Sequence, residues 1–191
     1  MADPALILAV DLAAVYSAAC LMTARGELTW QIDSWGVSED TFISALVAPW
    51  SGSDILSPQA MIIEDLPHRL PFSGLVKRVS RLQGRIIDRM SRLGMADRIL
   101  FVPPAEWRKA FDGLGRGTGA GAVVPVAARL GYHPPDMTER WLKTGDRATG
   151  RKVQTDYCSA YLIGRWATYT YATTGVFDTK STSRYTTAGD R

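Results

Sequence analysis

The residues of this 191-residue chain best suited to chemistry are acids that stop apolar runs. Leu6-Ile7-Leu8-Ala9-Val10 runs straight into Asp11, and Ala60-Met61-Ile62-Ile63 runs into Glu64 and Asp65. Short apolar runs of this kind suit buried central strands. A carboxylate at the end of one is costly to bury unless a cation or hydrogen-bond donors meet it. Asp11 therefore either caps a turn or binds a metal. If the two strands lie parallel and side by side, both acids emerge at one edge, where open α/β sheets keep their ligand sites. Asp156 is a third acid, in the first turn of a packed C-terminal helix expected over about residues 152–171. It either partners the helix dipole or joins the other two. Three carboxylates brought together repel one another unless a hard, oxygen-seeking divalent cation sits among them.

The second group with chemical potential is basic. Arg78, Arg81, Arg85, Arg89 and Arg92 recur at spacings of three and four, with Asp88 as the one acid within the same helix. They form a stripe about a quarter-turn from the apolar stripe Leu75, Val79, Leu82, Ile86, Met90 and Leu93. Such a helix can pack on a sheet and still present a rail of guanidinium groups, either as a solvated flank or as a phosphate-binding face. Glycines alternate from Gly113 to Gly121 around Arg116, just after Arg108 and Lys109. A loop of this kind can follow a phosphate backbone through its N–H groups or simply connect two elements. It lacks the Gly-Lys-Ser/Thr ending of a nucleotide-triphosphate loop.

Charge distribution sharpens the contrast. Residues 1–68 hold nine acids against one base, Arg25, a balance of −8; residues 69–116 hold eleven bases against four acids, a balance of +7. A cation site beside a polyanion-binding surface fits that asymmetry. Two cysteines and two histidines, His68 and His133, make neither a disulfide framework nor a zinc spacing. No apolar run approaches the ~20 residues needed to span a bilayer. No signal-peptide pattern opens the chain, so a reducing, cytoplasmic setting is expected.

The elements that must position these groups read as α/β. Val15 to Met22 suits a second strand. Gly26 suits the turn of a hairpin, and Leu28 to Trp35 alternates as a half-exposed third strand. Residues 38–50 suit a helix capped by Ser38. A long helix runs from Ser73 to Gly94, followed by a strand over Arg98–Val102, a short helix over Ala105–Phe111 and another over Val123–Leu130. Residues 138–151 read as a polar connection. One domain over residues 1–172 and a polar, unstructured tail over 173–191 are expected.

In this order the elements resemble the ribonuclease H-like fold, a mixed five-stranded sheet flanked by helices. The motifs AVDLAAVYSAA, MIIEDLP, RLQGRIIDRM (with Gly84), PPAEWRKAFDGLGRG and TDYCSAYLIGRW, in that order, resemble RuvC-type Holliday-junction resolvases over about residues 5–168, and most nearly their divergent phage-encoded members. The resemblance implies a structure-selective DNA endonuclease that resolves four-way junctions by paired nicks, leaving 5′-phosphate and 3′-hydroxyl ends. It implies Asp11, Glu64 and Asp156 as ligands of two Mg²⁺ or Mn²⁺ ions per site and Arg108 as a phosphate-holding base. A homodimer on branched DNA is implied, in the cytoplasm of a bacterial host if phage-encoded.

Three departures stand out. The family's acid or histidine three residues before the last Asp is Val153 here, leaving Lys152 or Asp65 as substitutes. The family's loop lysine is absent, with Arg116 nearest. Its aromatic wedge falls on Pro67, with Phe72 as the nearest aromatic. Arg78, Arg81, Arg85, Arg89, Lys109, Arg116 and Phe72 are the expected DNA contacts. The alternatives are a nuclease for other branched or flap DNA or for RNA–DNA hybrids, and a catalytically inactive junction-binding protein on the same fold.

Overall fold

The structure is a computed structural model that describes residues 6–13, 15–51, 57–65, 74–115 and 117–174. Phe72, Arg116, Pro67, Ser73 and the tail beyond Thr174 lie outside the described residues, as does the side chain of Leu75.

Five strands form one mixed sheet in the order β3-β2-β1-β4-β5. They are β1 (Leu6–Asp11), β2 (Ala18–Thr23), β3 (Leu28–Asp33), β4 (Ala60–Glu64) and β5 (Ile99–Val102). The first three make an antiparallel meander, and β4 and β5 are added parallel to β1. The hairpin between β2 and β3 turns at Gly26, whose φ of 81° is a left-handed value that glycine adopts without strain. Val15 to Ser17 belong to a loop rather than to β2, which starts three residues later than the apolar run suggests. Ser17 and Ser34 are bonded to backbone N–H groups here, and these local bonds compete with strand pairing.

Helices cover both faces. On one side lie α1 (Glu39–Ser51) and α2 (Gly74–Arg92), whose Phe42, Leu46, Val79, Leu82, Ile86 and Met90 pack on Leu8, Val10, Met61 and Ile63. The other side carries α3 (Pro104–Arg108), α4 (Val123–Arg129), α5 (Thr138–Thr144) and α6 (Arg147–Thr174). There Ala160 and Ile163 of α6 share a core with Ile7, Ala9, Cys20 and Ile62. Gly164 permits the close approach: a Cβ at that position would stand 2.3 Å from Met22 Sδ.

Residues 138–151 are ordered helix, which corrects the expectation of a polar connection. Gly145, at φ 69°, ends α5, and Asp146 accepts a hydrogen bond from Thr149 N at 2.9 Å, which caps α6 five residues earlier than the apolar pattern indicates. Asp156 is therefore well inside α6 rather than in its first turn.

Candidate active site

Strand register puts three acids in one row. Asp11 pairs with Ala18, and Ala18 with Asp33. On the other side Val10 pairs with Ile63, so Asp11 and Glu64 each stand one residue beyond that pair, and Glu64 pairs with Val102. Reading across the sheet edge, the row is Asp33, Ala18, Asp11, Glu64, Val102. Alternation sends Asp11 to the face of Ile7 and Ala9, and Glu64 to the face of Ala60 and Ile62. That is the face α6 covers, and α6 brings Asp156 to the same place.

Asp11 and Asp156 are each only 6% exposed. Burial raises the Asp11 carboxyl well above its usual range, and the charges of Glu64 and Asp156 raise it further. Glu64 is also raised by burial, against the pull of the Trp107 N–H, Asp11 and Arg108. Both carboxyls of the pair are thus raised, Asp11 by burial and neighbouring charge, Glu64 by burial against the pull of its neighbours. Burial pushes Asp156 up to about 7; Lys152 opposes the shift, while Glu64 and Asp33 add to it. Asp156 Oδ2 is buried and has no hydrogen-bond partner among the described residues. Among the described residues no three His, Cys, Asp or Glu side chains are gathered as a preformed metal cage. Asp11 and Glu64 act on each other as a hydrogen-bonded pair, and Asp156 acts on Asp11 through its charge.

Two residues that the sequence does not single out shape this row. Trp107, fully buried, donates from Nε1 to Glu64 Oε1 at 3.0 Å. Asp33, buried at the end of β3, accepts from Arg140 Nη1 at 2.7 Å, Arg140 Nη2 at 3.2 Å, Tyr157 OH at 2.8 Å and Trp35 N at 2.7 Å. Arg140 also stacks on the Trp35 ring at 4.7 Å. Asp33 thereby ties α5 to the turn of α6 that carries Asp156. Its signal was available: two hairpins return β3 to the edge where β1 ends, so an acid closing β3 must fall at the same sheet edge as Asp11, with β2 between them. For Trp107 no pattern marks the long reach from α3 to β4.

The bases fall into two sets. Arg108 and Lys152 act on the carboxylates, Arg108 through Glu64 and Lys152 through Asp156. Arg108 also lies 5.5 Å over the Trp107 ring and donates to Thr118 O and Gly119 O, both at 3.3 Å, so it joins the glycine loop to the row. Lys109 is exposed beside it. The α2 arginines are less free than their helix suggests, because α1 supplies counter-charge. Glu39 pairs with Arg78 at 3.5 Å, Arg81 at 2.9 Å and Arg85 at 3.1 Å, and Arg85 also meets Asp40. Arg89 has no ion-pair partner among the described residues.

Asp65 does not figure among the charges that move the three carboxyls; its N–H bonds Val102 O at 2.8 Å, and alternation directs its side chain to the opposite face from Glu64. Val153, at the family's fourth position, is fully buried in the core under α6.

Neither a protein-family model nor a curated protein matches the sequence. The fold does match solved structures. A Thermus thermophilus RuvC structure superposes with a TM-score of 0.56 at 14% identity, covering 89% of this chain and 96% of that one. T. thermophilus RuvC in complex with a Holliday junction substrate gives 0.55 at 11% identity, covering 88% and 96%. The chain has a RuvC-like, ribonuclease H-like fold over nearly the whole length of those chains.

Proposed function

We propose that this protein is a divalent-cation-dependent endonuclease for branched DNA, resolving four-way junctions by paired nicks that leave 5′-phosphate and 3′-hydroxyl ends. The observation that carries this reading is the row of Asp11 and Glu64 at the β1–β4 edge beneath Asp156, on a fold shared with a resolvase solved on its junction. Asp11, Glu64 and Asp156 fit a hard cation on two counts. Burial raises all three carboxyls, the charges of neighbouring acids raise Asp11 and Asp156 further, and Asp156 keeps a buried oxygen without a donor among the described residues. A pair of Mg²⁺ or Mn²⁺ ions, when bound, would supply the activated water and the charge that stabilises the leaving 3′ oxygen.

The chain's own groups do the rest. The Trp107 N–H fixes the Glu64 carboxylate, as supporting bonds fix metal ligands generally. Arg108 and Lys152 flank the row from two sides and hold the scissile phosphate. Lys109 and Arg89 extend that charge along a DNA arm, with the remaining α2 arginines as a partly neutralised reserve; Arg116 and Phe72, outside the described residues, are proposed as further DNA contacts. Paired nicks require two sites, so the working form is a homodimer, and the setting is the cytoplasm. No helix of the described residues is long and apolar enough to cross a membrane.

Asp11→Asn should abolish nicking of a synthetic four-way junction with Mg²⁺ while leaving junction binding intact. Normal nicking by that variant would remove Asp11 from the ligand set. A panel of junction, flap, duplex and RNA–DNA hybrid substrates fixes the selectivity. A second reading, an inactive junction-binding protein, draws on the buried Val153 where the family carries an acid or histidine. Mg²⁺ titration by calorimetry alongside the cleavage assay separates the two: junction binding with neither metal heat nor nicking favours the second.

A further inference from the structure

Beside the carboxylate row, on the α1–α2 side of the β1–β2 loop, lies a cavity of about 120 Å³. It holds several times the roughly 30 Å³ of a single water. Its polar floor is made by Ser17 and Ser34. Ser17 Oγ accepts from Ala13 N at 3.3 Å, and Ser34 Oγ accepts from Ser17 N at 2.8 Å. Each hydroxyl is used as an acceptor, so each still has a proton to donate, and no acceptor for either stands among the described residues. Val15 and Val37, 41% and 42% exposed, line the cavity with Tyr16, Phe42, Leu82 and the acid Glu39; the Tyr16 ring lies 6.3 Å from Trp35. At the rim the Arg78 guanidinium, paired to Glu39 at 3.5 Å, is half exposed. Two donors on the floor, apolar and aromatic side chains around them and a cation at the rim are what a planar heterocycle attached to a phosphate requires.

The placement decides which heterocycle can reach it. Ser17 immediately precedes Ala18, the cross-strand partner of Asp11. Asp11 faces α6 and the cavity faces α1 and α2, so the β1–β2 loop separates the two at the sheet edge; a strand with one phosphate at the row and the neighbouring base turned over that loop would reach the cavity. We infer that this cavity takes one unstacked nucleobase of the cleaved strand, close to the scissile phosphate, and favours a base that presents carbonyl oxygens to Ser17 and Ser34. The inference rests on the nuclease reading above and adds to it a source of sequence preference at the nick.

The test is a thermodynamic cycle on synthetic four-way junctions, with binding measured in the uncleaving Asp11→Asn chain. Abasic nucleotides replace the natural ones singly along the strand around the nick. At one position the loss of the base should weaken binding about 10-fold, the scale of one stacked base. Val37→Trp and Val15→Trp each fill the cavity from an exposed position and should erase that difference, while circular dichroism matches the parent. Either variant alone suffices should the other fail to fold. A junction bound tightly but with no abasic position whose cost depends on the cavity overturns the inference and leaves the nuclease reading standing. Absence of junction binding overturns both.

Discussion

Glu64 is pulled two ways. Burial favours its neutral form, while the Trp107 N–H, the bond with Asp11 and the Arg108 charge favour the anion. The donor matters because it fixes one of the two Glu64 oxygens in place. Trp107→Phe keeps an aromatic ring but deletes that donor together with part of the buried indole. It should cost about 1–3 kcal/mol of stability, the range for a hydrogen bond to a charged group. It should also raise the Mg²⁺ concentration needed for nicking by about 10- to 100-fold, as loss of a supporting bond to a ligand does. Chemical denaturation and a Mg²⁺ titration of nicking measure the two effects. An unchanged Mg²⁺ requirement would reduce Trp107 to a packing residue. Ser17 shows the same economy at smaller scale: one hydroxyl holds the loop after β1 and still offers a proton to the cavity.

At the scale of elements, the contact between α1 and α2 decides how much of the arginine stripe is available. Glu39 sits in the first turn of α1 and collects three guanidinium groups from the facing helix. Partial burial works against its ionisation, yet Arg81, with Arg78 and Arg85, holds its carboxyl below the usual range. The pairs are largely exposed, so Glu39→Gln should cost under about 1 kcal/mol. The same change should tighten DNA binding at low salt and steepen the plot of log K against log salt by about 1 or more, since each freed guanidinium that reaches a phosphate adds about 0.9. An identical slope in the variant would show that α2 does not touch DNA. The α5–α6 junction follows a related logic. Arg140 closes on the buried Asp33, and the bond from Tyr157 to the same carboxylate holds the turn next to Asp156.

For the molecule as a whole, the carboxylate row is a source of instability that a cation should cancel. A carboxyl whose folded value is raised gains proton affinity on folding. Folding is then opposed increasingly as pH rises through the window between its ordinary and folded values. For Asp156 that window runs from 3.8 to about 7, and Asp11 and Glu64 shift in the same direction. Without divalent cations the Tm of the wild type should therefore fall, relative to Asp156→Asn, as pH rises through that window. Mg²⁺ at about 100 times its Kd should return roughly 2.7 kcal/mol at neutral pH, about 5–10 °C in a chain of this size, and should return little to Asp156→Asn. Scanning calorimetry of both chains over pH, with and without Mg²⁺, reads the result. Equal pH profiles and no response to Mg²⁺ would count against a cation among these acids.

The local sequence was enough to determine the strands that end in acid, the long amphipathic helix with its second stripe, and the order of elements that defines the fold. Each is written in a repeat of two, three or four residues, the distance over which neighbours on one element face the same way. Residues 138–151 escaped that reading because their helices are set by a cap at Asp146 and a left-handed Gly145, with few apolar positions to announce them. What only the tertiary structure decided concerns partners remote in the chain: Asp33 in the same row as Asp11 by strand register, Trp107 donating to Glu64 across 43 positions, Glu39 neutralising a helix with one acid of its own. Register and packing bring such groups together through space, and no local repeat carries that information.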